Sequence, residues 1–156
     1  MDNGNQPRRV ADFGMGCGSA SAAAVQLFPS VEWIHGIEPS LAMRDCSHKL
    51  LEVSCQSRIT YSDTLSTTGS GSFNLALLCY TATNLPNIIL TLSAAAMLFD
   101  KLQPNGILVM VKPGMPDGFN SIRAVQNMLL DCCPPEDDPN KRSAPFLSIY
   151  KTLLGT

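Results

Sequence analysis

The sequence predicts an α/β fold built on a doubly wound parallel sheet, and three observations carry that prediction. Five apolar runs of strand length alternate with stretches of helical periodicity, the pattern of parallel strands joined by crossover helices. The first run ends in an acid and turns through alternating glycines into an alanine-rich helix: Val10-Ala11-Asp12-Phe13-Gly14-Met15-Gly16-Cys17-Gly18-Ser19. The second ends in another acid, Glu38, about twenty residues beyond that turn, where nucleotide folds place a carboxylate for the ribose hydroxyls.

The elements follow in order. Strands are expected at Arg9 to Phe13, Val31 to Ile37, Arg58 to Tyr61, Phe73 to Cys79 and Ile107 to Val111. The first helix, Ser19 to Phe28, stops at Pro29. Pro39 and Ser40 end the second strand, and Ser40 caps a helix from Leu41 to Val53 that sets Leu41, Leu50 and Leu51 near one face. Asn87 to Leu102 repeats Ile88, Ile89, Leu92, Ala95, Ala96, Phe99 and Leu102 at helical spacing, opened by Pro86 and closed by Pro104-Asn105-Gly106. Asp117 to Leu130 carries Phe119, Ile122, Val125, Leu129 and Leu130 on one stripe, and Thr64 to Ser72 reads as a loop. The expected strand order is 3-2-1-4-5, with a pocket at the carboxyl ends of the first two strands. Residues 1–133 form the expected domain, 134–145 a linker, and 146–156 an apolar docking tail.

The glycine turn also points to a ligand. Glycines at positions 14, 16 and 18 permit positive φ and a close backbone approach, and the helix behind them aims its free N–H groups at the same place. Their G-x-G-x-G spacing differs from the dinucleotide fingerprint G-x-G-x-x-G. Asp12, two residues before the first glycine, would repel a pyrophosphate and attract an ammonium. The turn thus fits S-adenosylmethionine (SAM) better than NAD, with Asp12, Gly14, Gly16, Gly18 and Glu38 as cofactor-binding residues. Asp63, after the third strand, is either a partner for the adenine amino group or a plain turn acid.

Composition narrows the remaining classes. The 156 residues carry a formal net charge of −2 and a sequence pI of about 5.6, which argues against binding polyanions by bulk electrostatics. The longest apolar run, Ile88 to Leu98, is interrupted by Thr91 and Ser93 and is too short to span a membrane. Six cysteines, at positions 17, 46, 55, 79, 132 and 133, include no C-x-x-C pair, so reduced thiols are expected instead of a metal site or a disulfide frame. Met1 to Arg9 has neither the apolar core of a signal peptide nor the amphipathic length of a transit peptide.

Longer motifs carry a family resemblance. D-F-G-x-G-x-G, then I-E-P-S-x-A-M-R, then L-Q-P-N-G-I-L-V-M-V-K-P-G-M-P-D-G-F-x-x-I-R follow one another between Asp12 and Arg123, and the resemblance they carry covers Val10 to about Leu130. The first resembles motif I of class I SAM-dependent methyltransferases. The set together resembles the methyltransferase-like family bound to the small subunit of the mitochondrial ribosome, and P-G-x-P-x-G-F is its most distinctive part. The resemblance implies a mitochondrial protein acting in ribosome assembly or as a structural component, with mitochondrial ribosomal proteins and small-subunit rRNA as partners. Departures are visible: Lys112 replaces the family's acid before Pro113, and only nine residues precede Val10. The family's cysteine set, similar to iron–sulfur ligands, has no counterpart, so that cluster is not expected. The last two strands of the class I fold are missing, which predicts that another chain or segment completes the sheet.

A methyl-acceptor site is harder to find. The D/N-P-P-Y/F turn of nucleic-acid amino methyltransferases is absent from Cys79-Tyr80-Thr81-Ala82-Thr83-Asn84-Leu85-Pro86. Cys79 reads as a buried strand residue before it reads as a nucleophile. His35 and His48 have no evident catalytic partner, and the catalytic residues stay unassigned. An active SAM-dependent RNA methyltransferase is the alternative function, and an NAD-binding module a third. The tail from Phe146 to Leu154 and the stripe from Phe119 to Leu130 are the surfaces expected to meet a protein partner, with rRNA reached through Arg123, Lys141 and Arg142.

Overall fold

A computed structural model describes residues 6–54, 58–65, 72–81, 85 and 87–132. Its elements are β1 (Arg9–Phe13), α1 (Ser19–Leu27), β2 (Trp33–Ile37), α2 (Leu41–Ser54), β3 (Arg58–Ser62), β4 (Phe73–Cys79), α3 (Ile88–Lys101), β5 (Leu102–Val111) and α4 (Pro116–Cys132). The five strands form one sheet in the order β3-β2-β1-β4-β5, and every pair is parallel. The expected order and direction are both present.

The sheet is buried on both faces because its strands alternate between two apolar clusters. Ala11, Ile37, Ala76, Leu78, Leu108 and Met110 pack with Ala95 and Leu98 of α3 and with Val125 and Leu129 of α4. Val10, Ile34, Leu75 and Leu77 pack on the other side with Ala22 and Ala24 of α1 and Leu51 of α2. The alanines of α1 let that helix lie close to the sheet, above the start of the glycine turn.

Helix ends follow local chemistry. Gly18, at φ 82°, is the N-cap of α1. The Ser40 hydroxyl accepts from Met43 N at 3.4 Å at the start of α2. Asn87 stands outside α3 as its N-cap, its side chain accepting from Leu90 N at 3.0 Å.

Several expectations need correction. Of the three leucines assigned to one face of α2, only Leu51 is fully buried; Leu41 is 72% exposed and Leu50 40% exposed. Positions 50 and 51 differ by about 100° around a helix, so they cannot share a narrow stripe. On α3 the buried stripe is Thr91, Ala94, Ala95 and Leu98, whereas Ile88 and Ile89 point outward. Small residues win the inner face there because the helix lies close against the sheet. Leu102 belongs to β5, not to the helix, and Pro104-Asn105-Gly106 lies within the strand instead of closing α3. Phe73 pairs with Leu102 and Leu75 with Ile107, so the extra residues bulge out between them, with Asn105 at φ 65°. Leu65, inside the expected loop from Thr64 to Ser72, is 1% exposed and belongs to the core; residues 66–71 lie outside the described residues.

The stripe on α4 is divided. Val125 and Leu129 are consumed by the chain's own core, while Phe119 and Leu130 remain 47% and 57% exposed. The surface available to a partner is therefore narrower than the sequence pattern implies. The linker and docking tail, with Lys141 and Arg142, lie outside the described residues. Among the described residues, no helix is long and apolar enough to cross a membrane.

Candidate cofactor site

The site grows from the carboxyl ends of β1 and β2. After Phe13 the chain folds over β2: the Gly14 N–H donates to Ile37 O at 2.8 Å and the Met15 N–H donates to the same oxygen at 3.3 Å. Gly14, Gly16 and Gly18 all have positive φ, at 68°, 54° and 82°. The first two differ in surroundings. A Cβ on Gly14 would stand 2.0 Å from Thr81 Cγ2, so the turn is packed tightly against the end of β4 there. Among the described residues, a Cβ on Gly16 would meet nothing within 4 Å, so its backbone borders open space among them.

Glu38 fixes this turn from the second strand. Its Oε2 accepts from Gly16 N at 3.0 Å and its Oε1 from Ser40 N at 2.9 Å, and the residue is 9% exposed. Each carboxylate oxygen has a second acceptor position, so Glu38 can hold the turn and still accept from a ligand hydroxyl. Arg44 of α2 donates to Glu38 O and pairs with Asp63. Asp63 is thus engaged by an arginine, with its side chain 74% exposed at the edge of the site.

Asp12 lies beneath the turn. It is 1% exposed and accepts from the Ser21 hydroxyl at 2.7 Å, joining the end of β1 to the first turn of α1. Burial pushes its carboxyl up to about 6, with the Glu38 charge adding to the rise and the Ser21 hydrogen bond opposing it. Asp12, in β1, and Glu38, just past the end of β2, are thus close enough for the charge of Glu38 to act on Asp12.

Three participants had no clear signal in the sequence. Thr81 donates to Gly14 O at 2.9 Å, tying the turn to the end of β4. Tyr80 holds a left-handed backbone at φ 60°, half exposed beside that contact; such a conformation is uncommon for a bulky residue. Arg44 bridges Glu38 and Asp63. An E-P-S motif locates the acid, but only the folded helix shows which of its residues returns to it.

Other titratable candidates do not converge here. His35 bonds Thr60 and Ser62 hydroxyls at 2.9 Å each, and burial lowers its pKa, so it is a strand-crosslinking residue in neutral form. Burial pushes the Cys79 thiol up to about 11, with the Asp12 charge adding to the rise, which opposes a thiolate nucleophile at neutral pH. Lys112 lines a separate cavity of about 630 Å³ with Asn87, Thr91, Asp117 and Ser121, between the amino ends of α3 and α4. Burial lowers the Lys112 pKa, against the opposing pull of Asp117.

Glu38→Ala removes the acceptor for two backbone N–H groups at once. The expected loss of stability is about 1.5–3 kcal/mol, the contribution of hydrogen bonds to a charged acceptor. Chemical denaturation of the variant beside the parent chain measures it. An unchanged midpoint and slope would mean that the turn does not depend on Glu38.

The comparisons with known proteins bear on the family and the fold. Residues 2–145 match the family described as mitochondrial small ribosomal subunit Rsm22. Among solved structures, the [4+2]-cyclase SpnF is similar with a TM-score of 0.56 and 18% identity, covering 78% of this chain and 52% of SpnF. A SAM-dependent methyltransferase from Methanosarcina mazei aligns with a TM-score of 0.53 and 16% identity, over 67% of this chain and 51% of that one. The YcgJ protein from Bacillus subtilis gives 0.50 and 20% identity, over 65% and 42%. The chain spans about half the length of these structures or less. At such identities they show the fold, which is that of SAM-dependent methyltransferases. One of them is a cyclase, so the fold alone does not select a reaction. No curated protein matches the chain in sequence.

Proposed function

This chain belongs to the mitochondrial small ribosomal subunit Rsm22 family, and on that premise we propose that it acts in assembly of the small subunit, or as a structural component of it, and holds SAM at its glycine turn. The observation that carries the cofactor reading is the Glu38 carboxylate bonded to Gly16 N, beside backbone that faces open space. Gly14, Gly16 and Gly18 admit the cofactor's approach, Glu38 accepts from ribose hydroxyls, and Asp12 supplies negative charge for the ammonium. Asp63 borders the site while paired to Arg44, which makes it the weakest of these contacts. Bound SAM would supply a sulfonium methyl group open to in-line displacement. No acceptor-binding residue is assigned, and the raised Cys79 pKa disfavours a cysteine-nucleophile route. A place in mitochondria, contact with mitochondrial ribosomal proteins and contact with small-subunit rRNA follow from the family reading. Arg123, stacked on Phe119, is the described basic residue proposed to approach RNA.

Tagged full-length protein, expressed in its own cells and fractionated by sedimentation, tests the proposal. It should travel with small-subunit particles, and the purified protein should bind S-adenosylhomocysteine. Labelled SAM should leave no methyl group in small-subunit rRNA. Incorporation of label would establish the active methyltransferase instead, and absence from small-subunit fractions would defeat the ribosomal reading.

The raised Asp12 pKa adds a pH dependence. An ammonium favours the charged carboxylate, so binding releases a proton wherever Asp12 is protonated in the free protein. SAM affinity should therefore weaken as pH falls through about 6 and level off above it. Calorimetry on both sides of that value measures the slope; a flat profile would mean that Asp12 does not sense the ligand. The unliganded fold shows the opposite preference. Its stabilisation from protonated Asp12 is complete below the unfolded value of 3.8 and is lost as pH rises through about 6.

A further inference from the structure

We infer that Cys17 and Cys46 form a dithiol that closes reversibly to a disulfide across the lip of the glycine turn. Cys17 sits between Gly16 and Gly18, and α2 runs alongside. Its Sγ lies 3.6 Å from Met43 Sδ, and Cys46, three residues further along α2, shares the Met43 face. The neighbouring Cys46 thiol pushes the Cys17 thiol pKa up. The adjacent residues confirm how closely the two backbones run. A Cβ on Gly18 would stand 2.9 Å from Ser47 Cβ and 3.4 Å from Ser47 Cα. One further bond length puts the Cα atoms of Gly18 and Ser47 within roughly 5 Å, so the residues preceding each of them, Cys17 and Cys46, stand on neighbouring stretches of backbone. Both thiols are exposed, so a reagent can reach them. By contrast, Cys79 is half-buried, and Cys132 lies on α4, across the sheet from α2.

The oxidant is a low-molecular-weight disulfide such as glutathione disulfide. One cysteine thiolate attacks it, forming a mixed disulfide and expelling one glutathione thiolate. The other cysteine, having lost its proton, attacks the protein sulfur of that mixed disulfide and expels the second. The reagent's S–S bond breaks, the Sγ–Sγ bond forms, and two electrons pass from the protein to the reagent. The crosslink ties the turn to α2 and fixes the backbone that borders the open space at Gly16. Its effect on a bound ligand rests on the SAM reading, because the same turn would have to adjust around the cofactor.

The test uses the full chain in glutathione redox buffers, with intact mass and peptide mapping as readouts. The expected product has lost the mass of two hydrogen atoms, joins the Cys17 peptide to the Cys46 peptide, and returns to the dithiol with dithiothreitol. Cys46→Ser should stop at a glutathione adduct on Cys17. Glutathione adducts without a crosslink, or a crosslink between other cysteines, would overturn the assignment. Oxidised chain should bind S-adenosylhomocysteine roughly tenfold more weakly than reduced chain, a typical coupling between sites. Equal affinity would overturn the coupling between crosslink and cofactor. If neither form binds, the SAM reading fails while the mapped disulfide still supports the dithiol.

Discussion

Gly16→Val is expected to abolish binding of S-adenosylhomocysteine while leaving a folded, cooperatively melting protein. Among the described residues, nothing beyond its two chain neighbours lies within 4 Å of the position a Cβ would take, so the branched side chain projects away from them into the space beside the Glu38 contact. That is the space through which backbone N–H groups would reach a cofactor. The fold itself loses only the cost of a left-handed non-glycine residue at φ 54°, about 1–2 kcal/mol. Calorimetry and thermal melting on the same preparation separate the two effects. Parental affinity in a folded variant would show that the glycine turn is structural only.

Gly14→Val, two residues earlier at nearly the same φ, should fail for the opposite reason. Its Cβ would stand 2.0 Å from Thr81 Cγ2 and 2.6 Å from Thr81 Cβ, so rotating the threonine side chain cannot relieve the overlap. The end of β4 must move, and the bond from the Thr81 hydroxyl to Gly14 O is lost with it. Overpacking of this kind costs about 1–3 kcal/mol, in addition to about 1–2 kcal/mol for the left-handed backbone. The sum is a large share of a total stability of about 5–15 kcal/mol. The melting temperature should fall by on the order of 10 °C. Gly14→Val combined with Thr81→Ala should recover part of the loss; no recovery would place the strain elsewhere.

The contrast between these glycines marks how far the sequence reading reached. Alternation of apolar strands with helical stretches was sufficient for the α/β class, the parallel sheet and the order 3-2-1-4-5, because crossover handedness leaves few alternatives. The acid and glycine spacings located Asp12, Gly14, Gly16, Gly18 and Glu38 at one end of that sheet, since consecutive parallel strands bring their carboxyl ends together. Which glycine faces open space and which is packed against protein has no linear signature. It depends on Thr81, 67 residues beyond Gly14.

The helical faces show the same division. A periodic apolar pattern established that residues around Asn87 to Leu102 and Asp117 to Leu130 would be helical, because local spacing and capping groups act within a few turns. Which positions turn inward was set by the sheet: on α3 it favoured Thr91, Ala94 and Ala95 over Ile88 and Ile89, and on α4 it consumed Val125 and Leu129 but not Phe119. The approach of Cys17 to Met43 is likewise a product of packing, with α2 docked along the glycine turn. Sequence by itself determined the element types, their order and the family, through local backbone preferences and strand–helix alternation. Tertiary structure alone decided the engagement of Glu38 with the turn, the burial that raises the Asp12 pKa and the contact of Cys17 with Met43 of α2, because each depends on distances between segments that only the packed sheet brings together.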